Sequence, residues 1–252
     1  MCQNPRQDQL SEWIKFRQEF LDEVLRHDGL GDFLGQNKCS NCGNAAGIIK
    51  CKDCANGVLL RCPECIVALH QNLPLHRVEV SGLIFVAIIH LINLQRWNGD
   101  FFNKDSLQNL GLRYQLGHSG GRCPCRLPGP KDFVIFDISG PHPVTIDYCQ
   151  CGDQHLSTRN QLLRERWFPA TLVRPQTVFT FDCLETFHEL TLQGKTSLYD
   201  YYHTLLRRSD NAGLSNPVVS QITFLSFHSS TNSYFNSTDT RCFIVDSECG
   251  GT

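Results

Sequence analysis

Between Cys39 and His76 the chain places six cysteines and two histidines in the order C-x2-C-x8-C-x2-C-x7-C-x2-C-x4-H-x5-H. Thiolates and imidazoles are the donors that tetrahedral zinc takes, and a C-x-x-C pair turns both of its sulfurs toward one ion. Eight ligands make two tetrahedral sets with no position left for water, which is the pattern of structural rather than catalytic zinc. The alternation predicts interleaving. Cys39, Cys42, Cys62 and Cys65 would hold one Zn2+, and Cys51, Cys54, His70 and His76 a second. A block of roughly 40 residues with so thin a core can fold because metal binding supplies folding free energy.

A second constellation lies further on. Cys123, Cys125, Cys149 and Cys151 form two C-x-C pairs, separated by two strand-like runs that would bring the pairs together. A third zinc held by these four thiolates is the simple expectation, and His118 or His142 is placed to replace one sulfur. His142, between Gly140-Pro141 and Pro143, reads as a turn residue. The carboxylates Asp182, Glu185, Glu189, Asp200 and Asp210 have no metal-ligand spacing and read as solvated helix faces.

The elements that must carry these ligands are modest. Asp8 to His27 has helical periodicity, with Trp13, Ile14, Phe20, Leu21, Val24 and Leu25 on one face and Gly29 as C-cap, and it reads as a packing helix. Phe133 to Ile138 and Pro143 to Tyr148 read as strands joined by a Gly-Pro turn. Thr158 to Phe168, Phe181 to Leu192 and Ser197 to Arg207 read as helices, the last capped by Thr196 or Ser197. The fold class is therefore α+β. It comprises an N-terminal helix, a double-zinc cross-brace whose spacing resembles the B-box, a short β unit with a second cysteine cluster, and C-terminal helices.

The composition narrows the setting. The chain of 252 residues is 41% hydrophobic, and its formal charge is -2. That balance gives no global pull toward nucleic acid or anionic membranes, so any nucleic-acid contact needs a local basic patch. Fourteen cysteines in a chain whose first ten residues are polar point to metal in a reducing, intracellular compartment, nuclear or cytoplasmic, rather than to secreted disulfides. The apolar run from Leu83 to Leu94 is shorter than the roughly 20 residues a membrane span needs. No small-molecule site is evident.

Longer strings carry a family resemblance. They are WIKFRQEFLDEVLRHDGLGDF, the cross-brace block, LPLHRVE, RWNGDFF, SLQNLGLRYQLGH, DFVIFDISGPHPVTIDYCQC and the stretch from QLLRERWFPATLVRPQTVFTFDCLETFHEL to LTLQGKTSLYDYYHTLLRRSDNAGL. Across Trp13 to Leu214, with one interruption, the chain resembles the N-terminal part of fungal KDZ (Kyakuja-Dileera-Zisupton) transposases and their CxC-two-like cysteine cluster. The resemblance implies zinc chelation and a DNA- or partner-binding role beside a catalytic part. It carries the ligand role to the eight cross-brace residues and to Cys123, Cys149 and Cys151, with Cys125 the weakest position.

Two departures stand out. Val80 to Gln95, sixteen residues, interrupts the family pattern and back-translates to permitted splice signals, so it reads as a translated intron. Thr238 to Thr252 reads as an out-of-frame tail in which Cys242 and Cys249 are not ligands. The expected segments are 1–35 (helix), 36–79 (cross-brace), 80–95 (insertion), 96–214 (cysteine cluster and helices) and 215–252 (divergent tail). The expected function is a zinc-binding, DNA-binding module without the transposase core, hence not an enzyme. The alternative is a protein-protein module that self-associates. For DNA, Arg159, Arg164, Arg166, Arg174, Arg207 and Arg208 are the candidate phosphate contacts.

Overall fold

A computed structural model describes residues 11–33, 38–55, 59–81, 102–118, 121–152 and 156–210. The chain divides into two compact units, 1–112 and 113–252.

In the first unit, residues 11–15 are helical and α1 (Arg17–Asp28) follows. The apolar face that the periodicity assigns to packing is exposed: α1 buries no residue, and Trp13, Phe20, Leu21, Val24 and Leu25 all face solvent. The helix is anchored at its C-terminal end instead. The Lys50 amine donates to the carbonyls of His27 at 3.2 Å and Asp28 at 2.8 Å. A cation there satisfies carbonyls that have no intrahelical partner and meets the negative end of the helix.

Lys50 sits in β1 (Ile49–Cys51), which pairs antiparallel with β2 (Val78–Ser81), and β2 pairs antiparallel with β3 (Phe102–Asp105). The register puts Ile49 opposite Val80 and Cys51 opposite Val78, so these four share one face. That face packs with Ile66 of α2 (Pro63–Leu69) and with Leu107 and Leu112. Lys50 and Glu79 pair on the other face, 3.5 Å apart, and the Lys50 amine lies 3.9 Å from the centre of the Phe102 ring. Burial lowers the Lys50 pKa, and Glu79 opposes that.

Two expected boundaries fall elsewhere. Val80 and Ser81, assigned to an inserted run, are strand residues of β2, paired with Asn103 and Phe102. Residues 102–112, grouped in the sequence reading with the second cysteine cluster, belong to the first unit, because β3 completes its sheet and Leu107 and Leu112 fill its core. The rest of the apolar run, 82–95, and the tail from 211 lie outside the described residues.

The second unit holds two sheets. One has the order β4-β8-β5, with β4 (Arg113–Gln115) parallel and β5 (Arg126–Pro128) antiparallel to β8 (Thr145–Cys149). The other has the order β7-β6-β10-β9. Its centre is the parallel pair β6 (Val134–Asp137) and β10 (Thr177–Thr180), flanked antiparallel by β7 (Gly140–Pro143) and β9 (Trp167–Pro169). The expected run Pro143 to Tyr148 is thus split at Val144 between two sheets. The hairpin turn is at Ile138-Ser139, where Asp137 accepts from the Ser139 amide at 3.1 Å and its hydroxyl at 2.7 Å.

Helix α3 (Thr158–Arg164) is shorter than its periodicity suggests. Arg166 adopts φ 59° and turns the chain, so Trp167 and Phe168 pair with β10 instead of extending the helix. α4 (Phe181–Gly194) leaves β10 directly, capped by Thr180, whose hydroxyl accepts from the Cys183 amide at 3.1 Å. α5 (Leu198–Ser209) is capped by Ser197, which accepts from the Asp200 amide at 3.1 Å. Val134, Phe136, Phe179, Cys183, Tyr201, Tyr202 and Leu205 form the core of this unit. Among the described residues no helix is long and apolar enough to cross a membrane.

Phe179 is fully buried in the central strand of this core. Phe179→Ala should cost about 3–5 kcal/mol of stability. Urea unfolding followed by tryptophan fluorescence checks this, and a loss under about 1 kcal/mol would show the core is not packed as described.

Candidate metal centres

Among the described residues, three groups of four side chains bring their ligand atoms within 4.8 Å of one another: Cys39, Cys42, Cys62, Cys65; Cys51, Cys54, His70, His76; and His118, Cys123, Cys149, Cys151. Each can hold a metal ion.

The first group joins two knuckles. Cys39 and Cys42 lie on a turn closed by the Gly43 amide, which donates to the Cys39 carbonyl at 2.9 Å. Gly43 has φ +69°, a conformation that a side chain disfavours. Cys62 is the N-cap residue of α2, with Pro63 at its first position, so Cys65 comes one turn into the helix. Sγ of Cys42 and Cys62 are 3.9 Å apart. The Asn41 amide donates to Cys39 Sγ at 3.4 Å, and its side-chain amide to Cys65 Sγ at 3.3 Å.

The second group joins the end of β1 to the end of α2. His70 follows α2, and its Nδ1 lies 2.8 Å from the Ile66 carbonyl. A carbonyl only accepts, so Nδ1 carries the proton and Nε2 keeps its lone pair for a metal. That Nε2 lies 3.4 Å from Cys54 Sγ, while His76 Nδ1 lies 3.5 Å from Cys51 Sγ and 3.4 Å from Cys54 Sγ. Between Cys51 and Cys54, Asp53 accepts from the Arg77 amide and from its guanidinium, each at 2.6 Å at closest, tying this knuckle to the residue after His76. Burial pushes the Asp53 carboxyl up, but Arg77 pulls it further down, so it stays charged below its usual range.

The third group corrects the expectation for Cys125. The four thiolates of the two C-x-C pairs do not converge: His118 stands where Cys125 was expected, with Nε2 3.1 Å from Cys149 Sγ, and Cys123 Sγ lies 3.4 Å from Cys151 Sγ. The reason is strand register. Arg126 pairs with Cys149, and the ladder continues with the Gln150 amide donating to the Cys125 carbonyl at 2.9 Å. Cys125 therefore lies across from Gln150, on the side opposite Cys149 and Cys151, and its thiol is exposed. His118 follows Gly117, whose φ of +83° and closeness to Cys149 (an added Cβ would lie 3.0 Å from Cys149 Cβ) leave no room for a side chain. His142, in β7, bonds Ser139 at 2.7 Å and is outside the group.

Sequence reasoning missed Gln161. This buried α3 residue accepts from the Cys149 amide at 2.8 Å and donates to the carbonyls of Cys149 at 2.9 Å and Leu156 at 3.0 Å. It clamps the ligand strand to the helix. A glutamine in a helix carries no metal-ligand signature, so only the register of β8 against α3 reveals it.

The donor geometry fits a tetrahedral ion. With metal–sulfur bonds of about 2.3 Å and metal–nitrogen bonds of about 2.0 Å, sulfurs stand roughly 3.8 Å apart and sulfur–nitrogen pairs roughly 3.5 Å apart. A disulfide would need about 2.05 Å, and all described cysteines are free. Charge points the same way. Burial pushes the Cys51 and Cys62 thiols up to about 12. Burial also works upward on Cys39, but backbone donors from Cys42, Cys62 and Asn41 outweigh it and bring that thiol down to about 6. Neighbouring thiols held in this way cannot all ionise unless a cation sits between them.

The arginines expected to meet phosphate are spread over several elements. Arg159 and Arg164 lie on α3, Arg207 and Arg208 on the last turn of α5, and Arg174 in the loop before β10. Arg166 is engaged by Asp182 at 3.0 Å and Glu185 at 3.9 Å.

Metal analysis of the purified chain should find three ions. Cys125→Ser should keep all three, whereas His118→Ala or Cys149→Ser should leave two. Gln161→Leu should weaken the third site about 10- to 100-fold, as losing a group that holds a ligand in place does. Loss of an ion in Cys125→Ser would contradict the assignment.

Residues 107–213, somewhat less than half of the chain, match the family model described as CxC2 like cysteine cluster associated with KDZ transposases. No curated protein and no solved structure matches the chain. The matched segment begins inside the first unit and contains the whole third group, while the first two groups precede it. Over residues 107–213 the chain is thus similar to the CxC2-like cysteine cluster associated with KDZ transposases.

Proposed function

We propose that the chain is a zinc-dependent nucleic-acid-binding module of a KDZ-type transposase and works inside the cell. The observation that carries the metal part is the closure of all three groups: each has four donors converging within 4.8 Å. A catalytic zinc keeps three protein ligands and an open position for water or substrate. Here one set is all cysteine, one pairs two cysteines with two histidines, and one joins three cysteines to a histidine. None leaves an open position, and their softness favours Zn2+ over Mg2+ or Ca2+. The ions would fix backbone, not activate water. The DNA part rests on the association of the family with transposases.

The test is binding of the zinc-loaded chain to a fluorescent DNA duplex as salt is raised from about 50 to 200 mM. Affinity should fall steeply with salt and vanish after chelation of the metal. Absent affinity, or affinity indifferent to salt, would end the DNA reading.

A second reading, self-association, is favoured by the exposed apolar face of α1. Trp13 and Ile14 are 64% exposed, and Val24 and Leu25 58%. Contiguous apolar surface of this kind marks protein contacts. In light scattering after gel filtration, the chain should then run as a dimer and Leu21→Glu as a monomer. A wild-type monomer at high concentration would remove this reading.

A further inference from the structure

The β4-β8-β5 sheet carries a set of charges that the metal chemistry does not use. Its register aligns Gln115 and Pro128 with Asp147, and Arg126 with Cys149, while Arg113 lies two residues from Gln115 on the same strand. Directly paired residues project to the same side of a sheet, and side chains alternate along each strand. Arg113, Asp147, Cys149 and Arg126 therefore share one side. Ile146 and Tyr148, both buried, project to the other.

Asp147 is the pivot of that side. Its carboxylate is almost wholly covered, with 4% of the side chain exposed. Arg113 grips it with two nitrogens, Nη2 at 2.5 Å and Nε at 3.0 Å, which fixes the guanidinium plane. Arg126 approaches the other flank at 3.7 Å, beyond hydrogen-bonding distance, and its side chain is 63% exposed. One buried carboxylate thus fixes the Arg113 guanidinium and attracts that of Arg126, and both side chains are partly open to solvent. Arg122, also exposed, stands immediately before the ligand Cys123.

This arrangement differs from that of Arg166, whose partners Asp182 and Glu185 are themselves exposed, at 65% and 59%. An incoming phosphate would meet those carboxylates as well as the guanidinium. On the sheet the single carboxylate lies beneath its arginines, so an anion meets only the donors. Arginine presents a planar fork that matches phosphate oxygens and binds them in pairs.

We propose that this side of the β4-β8-β5 sheet is a phosphate-contacting surface for nucleic acid, with Arg126 and Arg113 as the contacting residues and Asp147 as the positioning residue. The assignment rests on the nucleic-acid reading above and gives it a location. A metal ion held by the third group would fix Cys149, the strand partner of Arg126, and so hold the surface in register.

The experiment uses the full metal-loaded chain and a fluorescent DNA duplex, with anisotropy measured across the same salt series. Arg126→Gln is the informative variant, because it leaves Asp147 paired with Arg113. It should keep its metal content and bind about 3- to 10-fold more weakly at low salt. The slope of log affinity against log salt should be shallower by about 0.9, one phosphate contact. Arg126→Lys should restore the slope, and Arg166→Gln should bind as wild type. Wild-type binding with an unchanged slope in Arg126→Gln would overturn this surface and leave the nucleic-acid reading standing. Equal losses in Arg126→Gln and Arg166→Gln would overturn it too, as they would reflect charge alone. If the wild type does not bind, both readings fall.

Discussion

Sulfur atoms held 3.4 to 3.9 Å apart, without a bond between them, are the constraint on which this molecule turns. As thiols they crowd, and as thiolates they repel. A cation at the centre of each set converts both problems into attraction. In the first unit the three strands have three or four residues each, and the apolar core is a handful of side chains around Ile49, Ile66 and Val78. Such a core alone does not offset the conformational entropy of ordering the chain around it. The two ligand groups therefore set the topology. The first and third cysteine pairs meet, while the second meets the histidines after α2, and β1 is held between them.

The second unit is stabilised differently. Its four-stranded sheet has a parallel centre, with Phe136 and Phe179 on neighbouring strands and their ring centres 5.4 Å apart. Tyr201 and Tyr202 of α5 close over it. Here the metal group lies at the edge of the second, smaller sheet. It brings the C-terminal end of β8 to the approach to β5 and does not enter the core. Gln161 carries that local order into α3, so the strand that ends in the candidate ligand Cys149 is also held by an amide clamp.

Much of the first unit was legible because C-x-x-C spacing is a local signal: the turn that brings two sulfurs together is written within four residues. The second cluster was less so. Whether Cys125 or His118 faces the ion depends on how β5 pairs with β8, a non-local fact that a one-residue shift would reverse. The short strands were hidden for a related reason. Runs of three or four residues such as Arg113–Gln115 carry no measurable period, and Trp167 and Phe168, which continue a helical pattern, become strand residues only because β10 offers them a partner. The helices α4 and α5 were legible since their caps, Thr180 and Ser197, and their apolar faces are local too. The face of α1 was read correctly as apolar, but periodicity says only that a face is apolar, not that the same chain covers it.

Lys50 joins two of these themes in one side chain. It precedes the ligand Cys51 in β1, yet its amine reaches the last carbonyls of α1. In mechanical terms the helix is a handle and this lysine its rivet. A pull on α1 is delivered to the peptide adjoining a candidate ligand sulfur, not dissipated along the chain that connects them. Whatever grips the apolar handle thereby gains leverage on the knuckle that carries Cys51 and Cys54.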